Sequence, residues 1–235
     1  MDKLSVGVAV ITYKDIKKLE ISLPLLLKST LHPKILVFNS TSNDGCVELA
    51  KKLGVETLVI PRVEMNHGYA RELSRKALGT DIVVMMTPDA FVEDPEMLTK
   101  LVKPIVDGKA AIAYARQIAH EGANIISRFG REFNFPDKSN IRGIEDAGKY
   151  GVYTAFCSDA CTAWSNKALD EIGGFRWTLS GEDAIAAAMI LKKVTKLHML
   201  PTPSSDTHII TLRQKNLSDT SIRECIENSG IKYWT

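Results

Sequence analysis

Five consecutive apolar residues, Ile82-Val83-Val84-Met85-Met86, run straight into Thr87-Pro88-Asp89-Ala90. A run this short and uninterrupted is the pattern of a strand buried on both faces, as in a parallel sheet covered by helices. Pro88 cannot donate to a sheet ladder and biases Thr87 toward extended backbone, so the strand should stop there. Asp89 then stands at the carboxyl end of a central strand, where ligands of open α/β sheets bind. A carboxylate with no cation beside it in sequence suits a hard metal ion carrying phosphates. The plainer reading is that Asp89 caps the following helix.

The same grammar extends in both directions. Val6 to Ile11 reads as a strand ending in Thr12-Tyr13, and Ile16 to Leu27 has apolar positions at helical spacing. Lys34 to Phe38 is a second strand, running into the polar loop Asn39-Ser40-Thr41-Ser42-Asn43-Asp44-Gly45. A helix from Cys46 to Leu53, a strand from Val55 to Ile60 and a helix from about Tyr69 to Leu78 follow. After the Ile82 strand come a helix over Pro95 to Val106 and a strand over Ala110 to Ala115. This alternation predicts a doubly wound, mostly parallel sheet with helices on both faces.

From Arg116 to Gly151 the pattern fails, with five glycines and one proline among mixed charges and aromatics. Long irregular stretches of this kind are usually functional. Tyr153 to Trp164 resumes a strand-like character, interrupted by Ser158-Asp159. A short helix over Lys167 to Ile172, an alanine-rich helix over Ala184 to Lys193 and a strand over Leu197 to Leu200 complete the reading.

Composition excludes little. An apolar share of 45% and a charged share of 25% are ordinary for a soluble globular protein. A net charge of +2 argues neither way on nucleic acid; the scattered basic pairs read as solvated faces, so no nucleic-acid partner is expected. The four cysteines lack metal-ligand spacing and read as reduced thiols of a cytosolic protein. No secretory signal and no membrane span are visible. No linker marks a second domain, so residues 1–235 read as one.

In such a sheet, Thr12-Tyr13, the Asn39–Gly45 loop and Pro88-Asp89 lie along one edge. Thr12, Asn39 and Asp44 supply short donors and acceptors suited to a base and ribose, and Arg71 could bring a bidentate fork to a phosphate or base. Glu182-Asp183, two acids opening an apolar helix, either complement the helix dipole or include a general base for a hydroxyl nucleophile.

The order of these elements resembles the family-2 glycosyltransferases of the GT-A fold, from Val6 to His208. The marks are the opening Val-Ile-Thr-Tyr, the Asn39–Gly45 loop and Gly181-Glu182-Asp183. More narrowly the chain resembles the bacterial rhamnosyltransferase branch: Asn66-His67-Gly68-Tyr69-Ala70-Arg71, Thr87-Pro88-Asp89-Ala90, Tyr114-Ala115-Arg116-Gln117, the Arg128–Asn134 stretch, Phe156–Ala163 and Gly173-Gly174-Phe175.

That resemblance implies an inverting, metal-dependent transferase with a nucleotide-binding half (1–107), an acceptor and catalytic half (108–208) and a short tail (209–235). Thr12, Tyr13, Asn39, Arg71, Thr87 and Asp89 would hold the nucleotide. Asp89 would bind Mg2+ or Mn2+, with His208 a second ligand. Asp183 would be the base, with Glu182 beside it. Arg116, Gln117 and Asp159 would meet the acceptor. The donor would be a nucleotide-sugar, such as dTDP-rhamnose, and the acceptor a saccharide or lipid-linked saccharide of a surface polysaccharide. The expected location is the cytoplasm, with at most peripheral contact at the inner face of the plasma membrane and room for a homo-oligomer.

The chain departs from that pattern in three places. Asn39 and Asp159 stand where aspartate and asparagine are usual, and only a short stretch follows His208. The alternative implied is a degenerate protein that binds a nucleotide-sugar without turnover.

Overall fold

The computed structural model describes residues 4–119, 122–193, 197–199 and 211–212. The first half alternates as β1 (Val6–Thr12), α1 (Ile16–Leu27), β2 (Lys34–Asn39), α2 (Cys46–Lys52), β3 (Glu56–Val59), α3 (His67–Leu78), β4 (Ile82–Met86) and α4 (Met97–Val106). β5 (Ile112–Tyr114) and the two-residue β6 (Ile118–Ala119) lead into α5 (Ile125–Asn134), β7 (Asn140–Arg142) and the single turn α6 (Ala147–Tyr150). β8 (Cys161–Ser165), α7 (Asn166–Glu171), α8 (Glu182–Lys193), β9 (Leu197–Met199) and β10 (Thr211–Leu212) follow.

Among the described residues, eight strands form one sheet in the order β3-β2-β1-β4-β8-β5-β9-β7. β1 and β4 are buried along their whole length because both faces of the sheet are covered there. Val6, Val8 and Val10 share a cluster with Leu19 and Leu23 of α1 and Leu98 and Leu101 of α4. Ala9 and Ile11 point the other way, joining Ala70 and Leu78 of α3 and Ala187 and Ile190 of α8. Side chains alternate along a strand, so one apolar run serves two cores. Truncating a fully buried leucine such as Leu101 should cost about 2–5 kcal/mol.

Two features of the topology position a site. β1 pairs in parallel with β2 on one side and β4 on the other, so the winding direction reverses between β1 and β4. Strand ends diverge at such a point and leave a crevice at their carboxyl edge. β8 then enters antiparallel to β4, with Cys161 opposite Met86. That reversal brings residues just before β8 to the carboxyl end of β4, where Thr87 N–H donates to the Ala160 carbonyl at 3.3 Å.

The second half corrects several expectations. The stretch over 116–151 is not wholly irregular: it contains α5, whose Ile125, Ile126, Phe129 and Phe133 stand at helical spacing. Gly130 obscures that periodicity, and all four apolar residues are exposed rather than core. The strand expected over Tyr153 to Trp164 is confined to Cys161–Ser165, because 151–155 forms a 3-10 turn. The alanine-rich helix begins at Glu182, so both acids occupy its first turn. No helix among the described residues is long and apolar enough to cross a membrane.

Candidate active site

Thr12 and Asn39 face each other across the β1–β2 register, at the ends of their strands. Asn39 has 0% exposure. Its Nδ2 donates to Thr12 Oγ1 at 3.0 Å and Ser42 Oγ at 2.8 Å, and its Oδ1 accepts from Ser42 N–H at 2.8 Å. The Thr12 hydroxyl donates to the Phe38 carbonyl at 2.8 Å. Ser42 passes its own proton to Asp44 Oδ1 at 2.6 Å, and Asp44 Oδ2 accepts from Ile16 N–H at 2.9 Å, tying the loop to the start of α1. Burial alone would raise the Asp44 pKa, but the hydrogen bonds from Ser42, Ile16 and Cys46 outweigh it and hold the carboxyl below its usual value. The side-chain polar atoms of Thr12 and Asn39 thus bond to each other and to the loop that follows β2. Tyr13 is half-buried, with the Arg62 guanidinium 4.0 Å from the ring centroid and held by Ser40 Oγ at 3.1 Å.

The neighbouring crevice is a cleft of about 430 Å³ lined by Thr87 and Asp89 from the end of β4, His67 and Arg71 from α3, Ser158–Ala160, Gln117, Arg131, and Ser180–Asp183. Asp89 and Asp183, distant in sequence, face one space. The volume falls within the ~300–1,000 Å³ typical of small-molecule sites.

Arg71 is 5% exposed, which is unusual for an arginine that is to meet a ligand. Its Nε donates to Asp159 Oδ2 at 2.6 Å and its Nη1 pairs with Glu182 Oε1 at 2.8 Å. Arg71 thus clamps two carboxylates at the border of the cleft. Asp159, 2% exposed, also borders the cleft. It accepts from Arg71 and from Trp164 Nε1 at 2.8 Å, while its backbone N–H donates to Asp183 Oδ2 at 3.3 Å. Burial, and then the Asp183 charge working against Arg71, push the Asp159 carboxyl up to about 7.

The acidic pair divides accordingly. Glu182 is buried and paired with Arg71, whereas Asp183 is half-buried, accepts from Ala184 N–H at 2.7 Å, and pairs with no cation among the described residues. Asp89 is likewise half-buried, with no hydrogen bond or ion pair among the described residues. An unpartnered carboxylate in a polar cleft fits a hard divalent cation, which takes one or two carboxylates and completes its shell with phosphate oxygens and water. No cluster of three or more metal-ligating side chains occurs among the described residues, so any ion would depend on such oxygens. His208 lies outside the described residues.

Gln117 is buried and donates to Ser158 Oγ at 2.7 Å, bracing the Ser158–Ala160 turn. Arg116 donates to the Phe135 carbonyl at 3.0 Å and lines an adjoining cavity of about 290 Å³ with Arg128 and Arg131. Arg131 and Gln117 border both spaces. Sequence reasoning missed His67, Arg131 and Ser158 as lining residues, although each sits inside a motif it had singled out. A larger groove of about 570 Å³ lies at the opposite edge of the sheet, around Ala110, Ser165 and Lys167, without a carboxylate pair. Cys46, Cys157 and Cys161 are free and buried, and burial raises the Cys46 thiol to about 12, so it offers no thiolate; Cys225 lies outside the described residues.

The chain is 31% identical over 174 residues to the O-antigen chain rhamnosyltransferase RfbN of Salmonella typhimurium (strain LT2), covering 72% of this chain and 55% of that protein. It is 28% identical over 192 residues to the O-antigen chain rhamnosyltransferase WbaN of Salmonella anatum, covering 80% and 61%. The chain therefore spans a little over half the length of the curated relatives it matches. Among solved structures, S. aureus TarS 1-349 in complex with UDP-GlcNAc superposes with a TM-score of 0.66 at 14% identity, covering 96% of this chain and 65% of that one. The mannosyltransferase PcManGT of Pyrobaculum calidifontis, in complex with GDP-Man and Mn2+, gives 0.62 at 16% identity, covering 88% and 59%. At these identities the superpositions speak for the fold alone, which is GT-A. Residues 7–173 match the glycosyl transferase family 2, and the chain belongs to that family.

Proposed function

We propose that the protein is a metal-dependent, inverting glycosyltransferase that moves a sugar, rhamnose from dTDP-rhamnose, onto a saccharide or lipid-linked saccharide of a surface polysaccharide. The observation that carries this reading is the convergence of Asp89 and Asp183 on one cleft, where Glu182 is paired with Arg71 and they are not. The curated relatives, both named as O-antigen chain rhamnosyltransferases, support the sugar and the pathway class. The expected location is cytoplasmic, peripheral to the membrane where the acceptor is lipid-linked.

In this scheme the nucleotide lies along the carboxyl edge of β1, β2 and β4, with Tyr13 and Arg62 offering a flat surface at the rim. Asp89 would hold Mg2+ or Mn2+, which would supply charge neutralisation for the diphosphate leaving group. Asp183 accepts the proton of the acceptor hydroxyl as its oxygen attacks the anomeric carbon and the bond to the nucleoside diphosphate breaks. The sugar inverts because the attacking and departing oxygens lie on opposite sides of that carbon. Asp183 is suited to the role because it borders the cleft and pairs with no cation among the described residues. Its Oδ2 is oriented by the Asp159 N–H.

The test is a thermal-shift screen of nucleoside diphosphates and nucleotide-sugars with and without manganese, followed by donor hydrolysis. Selective, manganese-dependent stabilisation by thymidine nucleotides is the expected result, since a ligand held only by the folded state raises its melting point. Binding without transfer or hydrolysis across donors and metals would favour a nucleotide-sugar-binding protein. No binding at all would end the proposal.

A further inference from the structure

Helix α5 is built inside out. Ile125, Ile126, Phe129 and Phe133 fall within an arc of about 100° at the α-helical repeat, and all four are 60–82% exposed. A surface helix ordinarily turns such a stripe to the core. The mount is nevertheless firm. Phe135, just past the end of the helix, is buried with its ring 6.3 Å from Tyr114 and 5.5 Å from Phe156, and its carbonyl accepts from Arg116 Nε at 3.0 Å. Asn134 Nδ2 donates to the Gly130 carbonyl at 2.9 Å and closes the last turn. On the outer face the Phe129 and Phe133 rings stack at 5.9 Å. Phe133 also meets Tyr153 edge-on at 6.0 Å, which carries the apolar surface on to the 3-10 turn over 151–155.

The other side of the helix is basic. Arg131, about half a turn from the centre of the stripe, borders both the Asp89–Asp183 cleft and the 290 Å³ cavity, and Arg128 and Arg116 line that cavity with it. Glu132 is the one acid in its lining, against three guanidiniums. Neither Arg128 nor Arg131 has an ion pair or side-chain hydrogen bond with another described residue. An outward apolar stripe marks an interaction surface. Guanidiniums without carboxylate partners beside it select a partner that is apolar in one layer and anionic in the next. A phospholipid leaflet has that order, acyl chains and then phosphates, and a guanidinium receives a phosphate bidentately.

We infer that α5 is a bilayer-docking surface, which sinks Ile125, Ile126, Phe129 and Phe133 below the phosphates of an anionic phospholipid leaflet while Arg128 meets the headgroups. Depth agrees with this. An interfacial helix buries its apolar face by about 5–10 Å, and a helix is about 10 Å across. The cleft that Arg131 borders from the inner side of α5 is therefore held at the level of the headgroups. A hydroxyl of a lipid-linked saccharide would arrive at that level; this last step rests on the glycosyl-transfer reading, whereas the docking surface does not.

The experiment is co-sedimentation of the full chain with vesicles of phosphatidylcholine alone and of phosphatidylcholine with phosphatidylglycerol, at low and high salt. It is run on wild type, Phe129→Asp, Ile126→Asp and Arg128→Glu, with a nucleotide-induced thermal shift and a light-scattering mass recorded on each. All three side chains are exposed and none lines the Asp89–Asp183 cleft, so the nucleotide shift should be the same throughout. Wild type should bind phosphatidylglycerol vesicles, less so as salt rises, and phosphatidylcholine vesicles far more weakly. Each aspartate should weaken binding by about ten-fold or more, and Arg128→Glu by about five-fold with a flatter salt dependence. The surface is refuted if wild type ignores phosphatidylglycerol vesicles, if it binds both vesicles alike, or if either aspartate variant binds as well as wild type. It is equally refuted if wild type is a dimer that Phe129→Asp splits, since a second copy would then cover the stripe. A wild type that sediments with vesicles as expected yet answers to no nucleotide-sugar would refute the transfer reading and leave the surface standing.

Discussion

The two banks of the cleft are built from opposite electrostatics. On the β1–β2 bank, Thr12, Asn39 and Ser42 form a neutral hydrogen-bonded web that ends on one carboxylate, Asp44, whose oxygens accept from Ser42 and the start of α1. On the far bank, one guanidinium, Arg71, faces Asp159 and Glu182 with Asp183 close behind, so negative charge exceeds positive inside a buried cluster. A satisfied neutral web is rigid and indifferent to pH near neutrality. A charge-imbalanced cluster is sensitive to pH and to the loss of any member. In the proposed reaction, the bank that would take up the proton is the one built from excess carboxylate.

This contrast can be broken at its strongest point by Asp183→Asn. Turnover should fall about 10²–10⁴-fold, the range for losing a general base, with nucleotide affinity unchanged by calorimetry. Equal loss of both would mean that Asp183 holds the donor.

Next in size is Arg71→Met, which strands Asp159 and Glu182. Chemical denaturation should record a loss of about 3–5 kcal/mol, because a buried charge is left uncompensated. A change below 1 kcal/mol would mean that the cluster is hydrated and that the clamp carries no structural role.

On the neutral bank, Asn39→Ala should cost less, about 1–3 kcal/mol, the desolvation of the groups it leaves unpaired. The same measurement ranks the banks, and the contrast collapses if Asn39→Ala proves the costlier change.

The smallest effect is a difference in pH slope. The Asp159 carboxyl is raised to about 7 in the fold from an ordinary 3.8, so the folded state holds a proton that the unfolded chain has released. The stability it contributes is therefore present at the acidic end of that window and declines as pH rises toward 7. Asp44 is lowered, and its contribution is lost only as pH falls below the ordinary carboxylate value. Melting temperatures of wild type and Asp159→Asn between pH 5 and 8 separate the two. Wild type should lose stability relative to the variant as pH rises, and parallel curves would contradict the assignment.

The same division marks where the sequence was legible. The strands and helices through Val106 follow from local patterns, because each apolar run is short, doubly buried and punctuated by loop residues. Helix α5 escaped notice because Gly130 interrupts it and its apolar face is turned outward, so its period does not mark a core. The partners of Arg71 were not legible, because a sequence shows a charge but not what it pairs with; they lie in the turn before β8 and at the start of α8. His67, Arg131 and Ser158 became lining residues only through packing.

By itself the sequence determined the alternating elements, the carboxyl-edge position of Asp89 and the acidic start of α8, since all are set by periodicity and by residues that stop strands or open helices. Tertiary structure alone decided which acids at the cleft are paired. The antiparallel entry of β8 beside β4 delivers Asp159 to Arg71, and Arg71 also pairs with Glu182. Asp89 and Asp183 remain without a cation partner among the described residues because the nearest buried guanidinium is already spent.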